Sequence, residues 1–278
     1  TSIQSDAVVT GLEGGGFVVT WQSLGQDGSD WGIVGQRFDA TGTKAGAEFQ
    51  LNTTTANAQS APAITALADG GFVALWQSAG QDGSNLGVIG RRFDANGNAV
   101  SGEFVVNTTT ASDQFAPTVT GLADGGFLVS WTSSDGAGYG IYGQRFNAAG
   151  VAQGGEFRLN TTTADNQEEA SIVALADGGF VAAWQTWAPG GLFDIVGQRF
   201  SAAGVGQGEF LITSTTQNNQ REVSLTALDN GGFLATWASD QIDGVNTDIF
   251  ARRFDNGPAA LGSEFLVNTT TASIQGAP

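Results

Sequence analysis

Aspartates recur in five polar, glycine-rich stretches of the chain: Asp27 and Asp30, Asp82 beside Asn85, Asp135, Asp194, and the trio Asp240, Asp243 and Asp248. Calcium takes six to eight oxygens from carboxylates, carbonyls and water. Asp27, Asp30, Asp82, Asp240, Asp243 and Asp248 are therefore candidate metal ligands, and Ca2+ is the one cofactor these stretches suit. Asp-Gly is also an ordinary turn dipeptide, and neither an EF-hand loop nor a glycine-rich nonapeptide repeat occurs. In the same stretches one slot is filled in turn by Trp31, Leu86, Tyr139, Phe193 and Thr247, with Trp187 nearby. Aromatic groups repeated around a rim can stack on sugar rings or dock a partner, which makes Trp31, Tyr139, Phe193 and Trp187 candidate ligand contacts. Gln4, Gln59, Gln114, Gln167, Gln220 and Gln275 recur in an otherwise variable segment. Gln59 and Gln114 are further candidate contacts, with backbone capping as the structural use of such a segment.

Other chemistry is thinly supplied. The sequence holds no Cys, His or Met, and its only lysine is Lys44. Thiolate catalysis, disulfides, cysteine zinc sites and imidazole bases are thereby removed together. Glycosidases set two carboxylates about 5–10 Å apart in different environments. Near-identical repeats instead supply rings of equivalent groups, so the expectation is a protein that is not an enzyme. The net charge of −17 repels nucleic acid and anionic membrane and favours cations or basic partners. Charged residues are only 13% of the chain against 41% hydrophobic, so an acidic disordered tail is excluded. No apolar run is long enough to span a membrane.

The elements that must position these groups come as five repeats of ~54 residues. Gly-Phe with a Trp four residues later occurs at Phe17/Trp21, Phe72/Trp76, Phe127/Trp131, Phe180/Trp184 and Phe233/Trp237. Arg-Phe follows at Arg37, Arg92, Arg145, Arg199 and Arg253, and Glu-Phe at Glu48, Glu103, Glu156, Glu209 and Glu264. Asn-Thr-Thr-Thr closes the unit at Asn52, Asn107, Asn160 and Asn268, with Thr213-Ser-Thr-Thr in the fourth copy. Each unit reads as four short strands, A to D, punctuated by turn residues that tolerate positive φ. Strands B and D are apolar at adjacent positions, as expected where both sheet faces are covered. The expected fold is all-β: a five-bladed β-propeller with four antiparallel strands per blade. An open solenoid or a two-sheet sandwich are its rivals.

A single propeller domain would then occupy 1–278, with repeats at about 1–55, 56–110, 111–163, 164–216 and 217–271, and 272–278 opening a sixth unit. Arg37 is expected opposite Glu48 across the C–D hairpin, and likewise Arg92 with Glu103 and Arg145 with Glu156. The longer, variable B–C and D–A loops share one face, where function on a rigid scaffold usually sits.

The run Ala-Asp-Gly-Gly-Phe-Val-x-x-Trp-Gln-Ser, then Gly-Gln-Asp-Gly-Ser, Gly-Gln-Arg-Phe-Asp-Ala and Glu-Phe-x-x-Asn-Thr-Thr-Thr, resembles repeat regions of large secreted bacterial surface proteins, the RTX-type adhesins. The resemblance covers the whole chain. It implies an extracellular, bacterial-surface setting and transfers no active-site residues. The function expected is a non-catalytic binding or adhesion module that recognises a glycan or protein through the B–C/D–A face, or else a building block of a filament, sheath or surface layer. Its partners would be an extracellular glycan or protein, or copies of itself, with no nucleic acid and no membrane insertion.

Overall fold

The computed structural model describes residues 3–188, 191–240 and 247–269. Strands account for nearly all regular structure, and the one helix among the described residues is a single 3-10 turn at Glu13–Gly15. Blade 1 is built from β1 (Gln4–Gly11), β2 (Phe17–Leu24), β3 (Trp31–Phe38) and β4 (Phe49–Gln50). Blade 2 contains β5 (Gln59–Ala66), β6 (Phe72–Ala79), β7 (Leu86–Phe93) and β8 (Phe104–Val105). Blade 3 contains β9 (Gln114–Gly121), β10 (Phe127–Ser134), β11 (Tyr139–Phe146) and β12 (Ala152–Arg158). Blade 4 contains β13 (Gln167–Ala174), β14 (Phe180–Ala188), β15 (Leu192–Phe200) and β16 (Gly206–Leu211). Blade 5 contains β17 (Gln220–Ala227), β18 (Phe233–Asp240), β19 (Thr247–Phe254) and β20 (Phe265–Leu266). Every blade is a four-stranded sheet in simple sequence order, so the fold is an all-β five-bladed propeller.

The chain divides into two compact units, 1–133 with 143–157, and 134–142 with 158–278. In the first, β1 packs on β5 and β5 on β9; in the second, β13 packs on β17. First strands thus meet first strands, which places them innermost and explains their small side chains.

The repeated motifs are packing devices. The Phe that opens each B strand faces the Phe that ends each C strand, as in Phe72↔Phe93 and Phe180↔Phe200. Their rings stack at 4.6–5.0 Å between centroids in all five blades. Trp76, Trp131, Trp184 and Trp237 are fully buried. Asp-Gly-Gly turns follow from the same packing. Gly70 has φ +81°, which only glycine adopts freely, and a Cβ on Gly71 would lie 2.3 Å from the carbonyl oxygen of Phe93.

The Arg–Glu hairpin pairs expected from spacing do not form. In blade 2 the outer strand is two residues long, paired as Ile89↔Val105 and Gly90↔Phe104, so the ladder stops before Glu103. Arg92 instead donates to Asp69 of its own A–B turn at 2.6 Å, Arg145 to Asp124 at 3.2 Å, and Arg199 to Asp177. The glutamates reach the preceding repeat. Glu103 accepts from the Thr53 N–H, from the Thr54 N–H at 3.2 Å and from the Thr54 hydroxyl at 2.7 Å. Glu156 treats Thr108 and Thr109 in the same way, Glu209 Thr161 and Thr162, and Glu264 Ser214 and Thr215. The Glu-Phe and Asn-Thr-Thr motifs are two halves of one latch between successive blades.

Candidate active site on the inner strands

Of the recurrent glutamines, Gln59, Gln114, Gln167 and Gln220 lie inside the structure. Gln59 and Gln114 are fully buried. The Gln59 amide donates to the Ala56 and Asn57 carbonyls at 3.0 and 3.1 Å, and its oxygen accepts from Asn52 at 3.1 Å. Gln114 repeats this with Ala111, Ser112 and Asn107. Both residues are therefore corrected from ligand contacts to structural ones, because each side chain is buried and its amide nitrogen and oxygen are already hydrogen-bonded within the protein.

Their partner asparagine is a hub. Asn107 accepts from the Val88 N–H at 2.8 Å and donates to Asp82 at 2.9 Å, Gln114 at 3.0 Å and the Thr109 carbonyl at 3.1 Å. Asn52 does the same with Ile33, Asp27, Gln59 and Thr54. Asp27 and Asp82, expected as metal ligands, spend their second oxygens on the N–H groups of Ser29 and Ser84. Asp30 is exposed at the same hairpin tip as Asp27. Asp248 is 1% exposed and accepts from Asn268 at 2.8 Å. Asp240 accepts from Asn219 at 3.0 Å, Arg221 at 2.5 Å and Thr247 at 3.2 Å. Asp243 lies outside the described residues. Among the described residues no three acidic groups converge to hold a metal ion.

The aromatic slot belongs to strand C and not to a loop. Trp31 opens β3 opposite Leu24, Tyr139 opens β11, and Phe193 sits in β15 opposite Trp187. Trp187 and Phe193 meet edge to face at 4.8 Å.

The residues that spacing did not single out lie on the innermost strands. Each first strand carries a β-bulge just after its glutamine, with register shifts at Ser5/Val8, Ser60/Ala63, Glu168/Ser171 and Arg221/Ser224. The third residue of every first strand has positive φ: Asp6 +53°, Ala61 +50°, Ala116 +49°, Glu169 +54° and Glu222 +59°. A bulge re-aims side chains and is over-represented beside active sites. Where blades 2 and 3 place alanine, blades 4 and 5 place Glu169 and Glu222, preceded by Glu168 and Arg221.

In the second unit Glu169 feels the charges of the other three groups. Burial pushes the Glu168 carboxyl above its ordinary range against a hydrogen bond from Asn166. Glu169 is also raised, first by surrounding protein and then by the charges of Glu168 and Glu222, with Arg221 opposing. Burial first, and like charges beside it, disfavour the ionised carboxyl, which is the direction of shift a general acid requires. A signal for this site was present in the sequence. It is the column after the repeated Gln, which reads Ser-Ala and Phe-Ala in blades 2 and 3 but Glu-Glu and Arg-Glu in blades 4 and 5.

No protein-family model matches the sequence, and no curated protein matches it. Solved structures do match in fold. A protein of unknown function from Dyadobacter fermentans aligns with a TM-score of 0.69 at 12% identity, over 96% of this chain and 84% of that one. An endo-arabinase from Bacteroides thetaiotaomicron aligns at 0.52 and 12% identity, over 80% of this chain and 84% of that one. A thermostable family-43 glycoside hydrolase aligns at 0.57 and 10% identity, over 100% of this chain and 96% of that one. Identities this low establish the fold alone.

The expectation of a non-catalytic binding or structural module is corrected by the solved structures that share the fold. The propellers this chain resembles are mostly glycoside hydrolases. Its blades also differ in sequence on the first strands, since Glu168, Glu169 and Glu222 stand where blades 2 and 3 carry Ser60, Ala61, Phe115 and Ala116. No match connects the chain to RTX-type adhesins, and no helix of the described residues is long and apolar enough to cross a membrane.

Proposed function

We propose that this chain is a glycan-processing enzyme that hydrolyses glycosidic bonds at the inner-strand carboxylates of blades 4 and 5. The observation that carries this reading is the bulge-borne cluster Glu168, Glu169 and Glu222 beside Arg221, in which two carboxyls are held above their usual range. Glu169 is the general acid: it protonates the leaving glycosidic oxygen. Glu222 is the carboxylate that directs water at the sugar carbon: it takes one proton of that water while the remaining hydroxyl bonds to the carbon and the glycosidic bond breaks. Arg221, anchored on Asp240 at 2.5 Å, limits the accumulated negative charge. Glycosidase-type structures of the same fold support the reading.

Reducing-end release from arabinan, xylan, β-1,3-galactan and a sialyl-oligosaccharide tests it. Product is expected with at least one substrate, and Glu169→Gln is expected to cost roughly 10²–10⁴ in rate. Absence of product from all four, or full activity in Glu169→Gln, refutes it.

A further inference from the structure

Blade 4 differs from the others in its middle hairpin. β14 and β15 are nine residues each, against eight for the corresponding strands of the other blades. The added length extends the ladder to Ala188↔Leu192, beyond the pair Trp187↔Phe193. Leu24, Ala79, Ser134 and Asp240 occupy the Trp187 position elsewhere, so blade 4 alone faces two aromatics across this rung.

The platform is fixed from both sides. The Trp187 N–H donates to the Asn166 carbonyl at 2.9 Å. The Phe193 N–H donates to the Asn219 side chain at 3.2 Å, and Asn219 donates onward to Asp240 at 3.0 Å. Asp240 in turn holds Arg221, so the aromatic pair and the carboxylate cluster are tied into one network. Trp187 stays 39% exposed, the only tryptophan among the large exposed hydrophobics of the described residues. Beside it lies a cavity of about 250 Å³ lined by Trp184, Trp187, Thr162, Thr186, Asp165 and Glu209, among others.

We infer that Trp187 and Phe193 form a sugar-stacking subsite, and that the ring it takes is an uncharged pyranose or furanose unit of a neutral glycan. The inference rests on the hydrolytic reading above and specifies its substrate class. An exposed indole braced edge-on by a second ring offers the apolar face on which a sugar ring's C–H face packs, at small entropic cost. Sugar hydroxyls find the acceptor oxygens of Asp165 and the hydroxyl of Thr186 in the lining. The cavity lining contains no lysine or arginine. The two charged residues of the lining, Asp165 and Glu209, are both carboxylates, so a uronate or sialate would be repelled. The volume suits one ring rather than a longer stretch.

The test uses the full chain carrying Glu169→Gln, which retains substrate, with tryptophan fluorescence as readout. Arabino-, xylo- and galacto-oligosaccharides are titrated against oligogalacturonate and sialyllactose. Neutral sugars are expected to bind, and Trp187→Ala is expected to weaken them roughly tenfold, in keeping with loss of an aromatic anchor. Trp21→Phe is expected to leave the constant unchanged and controls for fluorescence and folding. Equal binding by Trp187→Ala, or preference for the acidic sugars, overturns the subsite. The two failures are separable. Hydrolysis with an unaltered KM in Trp187→Ala sinks the subsite and spares the active site. Binding that depends on Trp187, with no hydrolysis by the unsubstituted chain, does the reverse.

Discussion

Glu156 reaches back 48 residues to accept the Thr108 N–H at 2.7 Å, and it takes the Thr109 N–H at 3.2 Å with the same carboxylate oxygen. The second oxygen takes the Thr109 hydroxyl. One ionised side chain thereby satisfies three donors of the neighbouring repeat, and charge-assisted bonds of this kind are stronger than neutral ones.

Removing that carboxylate tests the latch directly. Glu156→Ala is expected to destabilise the first unit by about 1–3 kcal/mol, the usual cost of stranding donors that had a charged acceptor. Glu156→Gln should lose less, because the amide oxygen still accepts. Chemical denaturation of the three proteins checks this, and equal midpoints would exclude an energetic role for the latch.

The latches and the inner cluster respond to pH with opposite sign. Burial pushes Glu103, Glu156, Glu209 and Glu264 upward, but hydrogen bonds from the threonines and Ser214 outweigh it, and all four finish below the ordinary range. A lowered folded pKa gives stability that is present above the unfolded value and lost as pH falls through the folded one. Glu168 and Glu169 are raised, so their contribution is present in acid and fades as pH rises through their folded values. Thermal midpoints should therefore fall steeply below the usual carboxylate range. Glu169→Gln should be more stable than the unsubstituted chain at pH 7 and lose that advantage in acid.

Blade 4 lacks the asparagine hub. Thr213 stands in its place, and the Thr213 hydroxyl and one Asp194 oxygen are buried with no hydrogen-bond partner among the described residues. Burial holds the Asp194 carboxyl above its ordinary range. In blade 5 the corresponding Asp248 accepts from Asn268 at 2.8 Å. Thr213→Asn is expected to supply that donor and raise stability by about 1–2 kcal/mol. The converse change, Asn107→Thr in blade 2, should cost about as much or more. Melting curves of the pair would show whether the hub has this value.

Tryptophans should separate by environment. Trp76 is fully buried, and Trp76→Ala should cost about 3–5 kcal/mol through the cavity it leaves. Trp187→Ala should cost well under 1 kcal/mol of folding stability, since its ring is 39% exposed. A large melting shift in the second variant would mean that the ring serves the core.

Periodicity alone determined the blade count, the strand order within a blade and the buried Phe and Trp positions, because each motif is answered within its own ~54 residues or at an adjacent turn. What spacing misjudged were partners: Glu103 lies opposite Arg92 on paper, but a two-residue outer strand frees it to cross to Thr53 and Thr54. The recurrent Gln59 and Asp27 looked available for ligands, and the folded chain joins them through Asn52. Only the tertiary structure revealed that the bulge on each first strand carries Glu168, Glu169 and Glu222 into a shared electrostatic environment. Repetition exposes what the blades have in common, whereas chemistry depends on where two adjacent blades stop being alike, and adjacency is a property of the fold.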